Sequence, residues 1–97
     1  MNRRKERIKT HPGEILNEEF LVPLKMSARE LAGHISVPPN RVTEIIRQRR
    51  DVSADTAIRL GRFFKTDPRF WLNLQTAHDL SKAEASVDYT GVRPRAA

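Results

Sequence analysis

The chain contains no cysteine, and this absence excludes disulfide scaffolds, thiolate zinc sites, iron–sulfur centres and cysteine nucleophiles. It also contains no apolar run near the roughly 20 residues that a membrane span needs. The basic start of the chain is not followed by an apolar stretch, so it does not have the form of a signal peptide. We therefore expect a cytoplasmic protein that does not enter a membrane.

Glycine is scarce, with four residues in the chain, and no glycine-rich phosphate-binding loop is present. The three histidines, His11, His34 and His78, lie far apart in sequence and follow no metal-ligand spacing, so we expect them at the surface or at helix caps. No serine forms an evident nucleophile–base pair with a histidine or a lysine. The sequence thus favours a protein that is not an enzyme and needs no metal or cofactor.

Positive charge is in excess. The 97 residues include 18 lysines and arginines against 12 aspartates and glutamates, which gives a formal charge of +6 and favours anionic partners such as nucleic acid. A hydrophobic content of 38% suits one small domain with a modest core. No segment alternates apolar and polar residues over the length of a strand, so we expect an all-α fold.

The sequence divides into three parts. Residues 1–9 are predominantly basic and predict a flexible arm, which is either a solubilising tail or a segment that reaches a groove or a partner. Residues 10–82 carry the apolar periodicity and predict the folded domain. Residues 83–97 contain a glycine and a proline and no helical period, which predicts a tail.

Five helices are predicted in the folded domain. The first is expected to end at Val22-Pro23, and the fifth to run from residue 68 to Leu80 or Lys82. Capping residues, or prolines suited to a first helical position, mark the predicted starts, which are Pro12, Ser27, Pro39, Ser53 and Asp67-Pro68.

The second and third helices are separated by only a few residues, Ser36-Val37-Pro38. Because such a short turn makes two helices cross steeply, the pair predicts a helix-turn-helix. Val42, Ile45 and Ile46 form a narrow apolar stripe that anchors the third helix to the domain. The opposite, polar face is then free to enter the major groove of DNA.

Several side chains on this polar face suit base recognition. Asn40 can pair with adenine, and Arg41 and Arg47 with guanine, while Thr43 can contact a thymine methyl and Glu44 can accept from cytosine. Other residues at the start of the second helix or around the third suit phosphate contact or positioning. They are Ser27, Arg29, Pro39, Gln48, Arg49 and Arg50.

Each of these assignments has a simpler alternative. Glu44 lies three residues from both Arg41 and Arg47, so it can form ion pairs along the helix. Asn40 can serve as a local cap. Arg49 and Arg50 can be ordinary solvated surface residues.

The fifth helix carries four large apolar side chains within five residues, Phe70, Trp71, Leu72 and Leu74. This is more than one narrow core-facing stripe accommodates, so we expect a dimer interface near this helix and the start of the tail. The alternative is that the helix closes its own domain, with Trp71 as a core residue.

Residues 28–47, ARELAGHISVPPNRVTEIIR, resemble the helix-turn-helix of Cro/repressor-type (Xre) regulators. Ser36 departs from that pattern, which prefers glycine, so this residue must tolerate a left-handed backbone or adjust the turn. Four segments also resemble HigA-type antitoxins, and they are HPGEIL at 11–16, PPNR at 38–41, ADTA at 54–57 and FWLNLQ at 70–75. Gln48 departs from that pattern, because those antitoxins commonly have glycine at this position.

The resemblance implies a homodimeric repressor that binds double-stranded operator DNA of its own operon. It also implies a partner toxin, a small basic protein similar to RelE-like mRNA endonucleases, which the antitoxin neutralises. The acidic first helix, with Glu14, Glu18 and Glu19, is the expected surface for a basic toxin. The alternatives are a stand-alone repressor without a toxin and a protein-binding inhibitor that no longer reads DNA.

Overall fold

The structure is a computed structural model that describes residues 7–96, and within this range it contains five helices and no strand. Residues 1–6, which make up most of the predicted arm, and residue 97 lie outside the described residues. Helix α1 consists of three consecutive segments, Pro12–Ile15, Leu16–Leu21 and Val22–Leu24. The other helices are α2 (Ala28–Ile35), α3 (Pro39–Ile46), α4 (Ala54–Phe64) and α5 (Pro68–Ser86). The all-α prediction is confirmed.

Helix α1 does not end at Val22-Pro23 as predicted, but continues to Leu24. Its middle segment is π-helical, and the Val22 amide donates to the carbonyl of Asn17, five residues back. A proline in an α-helix clashes with the carbonyl four residues before it, and the wider π-turn relieves this contact. The helix ends instead at Lys25, which has a left-handed backbone with φ 54°.

The caps predicted at Ser27 and Ser53 are present as hydrogen bonds. In α2, the Glu30 amide donates to Ser27 Oγ at 3.0 Å, and the Ser27 amide donates to Glu30 Oε1 at 2.8 Å, which completes a capping box. In α4, Ser53 Oγ accepts from the Thr56 amide. These local interactions define the residues at which the helices begin.

Helix α5 extends to Ser86, beyond the predicted end at Leu80 or Lys82. The added turn contains Ala83, Glu84 and Ala85, which are good helix formers. No helix among residues 7–96 is long and apolar enough to cross a bilayer.

The core draws apolar side chains from all five helices, including Leu16, Leu31, Ile35, Val42, Ile45, Leu60 and Trp71. Val42 and Ile45 of α3 are buried as the apolar stripe predicts. Trp71 is 0% exposed, and its Nε1 donates to Thr66 Oγ1 at 2.9 Å. The prediction that Trp71 lies at a dimer interface is therefore wrong, because this side chain is enclosed by its own domain.

The start of α1 packs tightly on the end of α3. A β-carbon at Gly13 would overlap the backbone carbonyl of Ile45, so only glycine permits this approach. At Gly33, on the exposed side of α2, an added β-carbon would have no neighbouring atom within 4 Å.

His11 caps α1 from a buried position, since its Nδ1 accepts from the Gly13 amide at 2.8 Å. An imidazole that accepts at Nδ1 carries its proton on Nε2 and is neutral. Burial lowers the pKa of His11, and the ring of His78, 4.9 Å away, lowers it further, whereas Asp51 and Asp79 oppose the shift. Protonation would therefore disrupt the cap.

The close approach at Gly13 predicts opposite effects of one chemical change at two helical positions. Gly13→Ala should destabilise the protein by about 1–3 kcal/mol, because the methyl group separates α1 from α3. Gly33→Ala should stabilise it by about 0.5–1 kcal/mol, because alanine is the better helix former and meets no neighbour. Urea unfolding measures both, and equal effects would contradict the close approach.

The histidine cap predicts a dependence of stability on pH. The unfolded pKa is about 6.5 and the folded pKa is lower, so the contribution of neutral His11 is complete above pH 6.5 and is lost as pH falls through the folded pKa. His11→Asn retains a capping side chain that does not titrate. Between pH 7 and pH 5, the urea concentration at the unfolding midpoint should fall less in this variant than in the unaltered chain. Equal declines in the two proteins would count against the capping role of His11.

Candidate nucleic-acid interface

The turn between α2 and α3 is closed by backbone hydrogen bonds. Ser36 has a left-handed backbone with φ 59° and ψ 50°, as the departure from glycine at this position requires. The Val37 amide donates to the carbonyl of Ala32 at 3.0 Å. This arrangement satisfies the last turn of α2 and sends the chain directly into α3.

Arg59 of α4 supports the same turn from the side. Its Nη1 donates to the carbonyl oxygens of Ile35 at 2.8 Å and Ser36 at 3.2 Å. A guanidinium group at the carboxyl end of a helix complements the unpaired carbonyls and the helix dipole. Sequence reasoning did not assign Arg59 a role.

Asp55 connects this support to α3. Its Oδ2 accepts from Arg59 Nε at 2.9 Å and from Arg41 Nη1 at 2.7 Å. The hydrogen bonds from Arg59 and then from Arg41 lower the pKa of Asp55. The spacing of Asp55 and Arg59, four residues apart on a predicted helix, is the signal that could have identified the pair.

Helix α3 presents its polar side outward. Asn40 and Arg47 are exposed, whereas Arg41 is half-buried and held by Asp55. Thr43 Oγ1 donates to the carbonyl of Pro39 at 3.1 Å, which occupies its hydroxyl proton within the helix. Of the predicted base-reading side chains, Asn40 and Arg47 are therefore the two that are exposed.

A basic segment, residues 47–50, follows α3 directly. Gln48 has a left-handed backbone with φ 62°, which explains why glycine suits this position. The Arg49 amide donates to the carbonyl of Glu44 at 2.8 Å. Glu44 Oε1 accepts from Arg50 Nε at 2.9 Å and Nη2 at 2.8 Å. Glu44 thus forms an ion pair, but with Arg50 rather than with Arg41 or Arg47.

The remaining predicted contact residues lie at the start of α2. Ser27 and Arg29 are exposed, and Ser27 Oγ, which accepts from the Glu30 amide, retains its own proton for donation. Within residues 7–96, the side chains of Arg29, Arg47 and Arg49 form no ion pair. The α2–α3 surface therefore presents unneutralised positive charge.

The histidines do not come together as a ligand set. His34 stacks on Phe63 with ring centroids 4.8 Å apart, while the rings of His11 and His78 contact each other edge to face. Among the described residues, no group of three histidine or acidic side chains could hold a metal ion.

Several known proteins are similar to this chain in sequence and fold, although no protein-family model matches the sequence. Virulence-associated protein I of Dichelobacter nodosus is 54% identical over 74 residues, which span 76% of this chain and 68% of that protein. The structure of Pseudomonas aeruginosa antitoxin HigA with higBA promoter has a TM-score of 0.78 and 47% identity, over 79% of this chain and 84% of the other.

A third similarity is to antitoxin GraA in complex with its operator, with a TM-score of 0.83, 44% identity and 92% coverage of both chains. Identity at this level over most of each chain extends well beyond the helix-turn-helix. These similarities also agree with a regulatory rather than an enzymatic protein. The chain belongs to the HigA family of helix-turn-helix antitoxins.

Proposed function

We propose that this chain is the antitoxin of a type II toxin–antitoxin module, binds operator DNA as a homodimer, represses its own operon and neutralises a toxin. The observation that carries the proposal is an exposed, unneutralised basic surface on α2–α3 in a fold shared with HigA and GraA. Those two relatives are described with promoter or operator DNA. The proposed role on operator DNA implies a cytoplasmic protein.

Base recognition is assigned first to Asn40 and Arg47, because Asn40 is exposed on α3 and Arg47 is exposed directly after its last residue. Arg41 and Glu44 contribute after their ion pairs with Asp55 and Arg50 open. Thr43 offers its methyl group rather than its hydroxyl proton.

Phosphate contact is assigned to the exposed ends of the two helices. Ser27 and Arg29 lie at the amino end of α2, where backbone amides also favour an anion. Arg49 follows α3 and forms no ion pair among residues 7–96. Pro39, Gln48 and Arg50 set the backbone and charge around these contacts.

The homodimer is proposed to form through α5. Phe70 is 39% exposed and Leu80 is 59% exposed, whereas Leu72 and Leu74 are half-buried against the core. A two-fold axis near α5 would place two copies of α3 on successive turns of one duplex.

The toxin is proposed to be a small basic protein, similar to RelE-like mRNA endonucleases, that binds α1. Glu14, Glu18 and Glu19 are exposed on this helix in a chain that is otherwise strongly basic. Val22 and Leu24 are also more than half exposed at its end and offer apolar contact. Opposite charges would speed the encounter and orient the partner.

Replacing Arg47 or Arg49 by alanine should weaken DNA binding in different ways. Arg47→Ala should cost about 1–3 kcal/mol of binding to the operator and relax the preference at one base pair, because a guanine is left without its arginine partner. Arg49→Ala should weaken all duplexes alike and reduce the slope of log K against log salt by about 0.9, because the variant neutralises one fewer phosphate.

Fluorescence polarisation with the upstream region of the gene and a scrambled duplex measures these effects. Arg62→Ala is the matched control and should change neither quantity, because it removes an exposed arginine of α4 that forms no ion pair among residues 7–96. An unchanged site preference in Arg47→Ala would remove this residue from the base-reading set. Failure of the unaltered chain to bind its upstream region would contradict the repressor role.

The toxin partner is tested by co-expression with the neighbouring reading frame. The unaltered chain should co-purify with its small basic product, and charge reversal by Glu18→Lys with Glu19→Lys should weaken the complex while operator binding persists. Arg62→Glu, a charge reversal at an exposed residue of α4, is the control and should leave the complex intact. If the unaltered chain retains operator binding but no complex forms, the stand-alone repressor is the correct function.

A further inference from the structure

Gln75 is a buried polar residue that the DNA-binding and dimer assignments leave without a role. It lies on α5 at the end of the FWLNLQ segment and is 6% exposed. Its side chain is an amide, so burial is unfavourable unless its donors and acceptor are all paired. The structure shows which groups pair with it.

Each end of the Gln75 amide contacts the segment that follows the basic residues. Oε1 accepts from the Val52 amide at 2.7 Å, and Nε2 donates to Asp51 Oδ1 at 3.2 Å. Nε2 also donates to Asp79 Oδ1 at 3.0 Å, within α5 itself. A single side chain thus ties residues 51–52 to α5 through a backbone and a side-chain hydrogen bond.

Residues 51–52 begin immediately after Arg49 and Arg50. On the other side, the basic segment 47–50 is closed by the hydrogen bond from the Arg49 amide to the Glu44 carbonyl. The basic segment is therefore held at both ends, by α3 before it and by Gln75 after it. Val52 as a whole residue is 3% exposed, so its amide lies at a site where water is largely excluded.

We propose that Gln75 is a positioning residue for DNA binding, which holds the basic segment 47–50 in the conformation that meets the phosphate backbone. The proposal rests on the assigned phosphate contact of Arg49. An amide suits the task because it can accept from a backbone N–H and donate to a carboxylate at once. Preordering this segment lowers the entropy cost when its arginines bind.

The test compares Gln75→Leu with the unaltered full-length chain. Leucine keeps nearly the same volume and removes both polar groups, so the Val52 amide is left without its partner. We expect operator affinity to fall about tenfold and the salt slope to decrease by about 0.9 for each phosphate that the variant no longer neutralises. Hydrogen exchange at the Val52 amide should become faster while the core of α2 and α4 stays protected.

Asp79→Asn is the matched control, because it alters the hydrogen bond that Gln75 makes within α5 and leaves residues 51–52 tied. This variant should retain the salt slope of the unaltered chain and the slow hydrogen exchange at the Val52 amide. Gln75→Met, with an unbranched chain, provides the same test if the leucine variant does not fold. Urea unfolding of each variant separates a change in stability from a change in phosphate binding.

Two outcomes have distinct meanings. An unchanged affinity and slope in Gln75→Leu, with the unaltered chain bound to DNA, would overturn the positioning role. Failure of the unaltered chain to bind any duplex would instead overturn the proposed function, while the exchange measurement at Val52 would still report whether Gln75 orders the segment.

Discussion

The attachment of α3 to the domain behind it is the constraint on which the rest of the structure depends. An isolated helix of eight residues is not stable in water, so its order must come from tertiary contacts. Val42 and Ile45 supply the buried anchor, and Gly13 allows α1 to pack directly on the end of the helix. Because these contacts occupy one side of α3, the opposite side remains available for a ligand.

The four segments that resemble HigA-type antitoxins each contribute to this attachment. His11 and Gly13 set the start of α1 against α3, and Pro39 fixes the first turn of α3. Asp55 ties Arg41 to α4, and Gln75 holds the chain after the basic segment. The resemblance therefore includes residues that position the surface as well as residues that lie on it.

Charge on the proposed DNA surface is divided between paired and unpaired arginines. Arg41 and Arg50 are held by Asp55 and Glu44, which limits their motion and places part of the surface in a fixed arrangement. Arg47, on the same stretch of chain, forms no ion pair among residues 7–96. Composition alone gives the excess of positive charge, but the pairing decides which side chains meet a ligand without first breaking an ion pair.

Local signals in the sequence determined the five helices, the capping box at Ser27 and the inward stripe of α3, because neighbouring residues are enough to define a cap or a helical period. They did not determine the burial of Trp71 or the hydrogen bonds of Gln75. Whether an apolar or polar side chain is enclosed depends on elements distant in sequence, and hydrogen bonds such as that from Val52 to Gln75 form only after α5 has packed. The sequence thus specified which helix could present a polar face, and only tertiary packing decided which of its side chains are held and which are exposed.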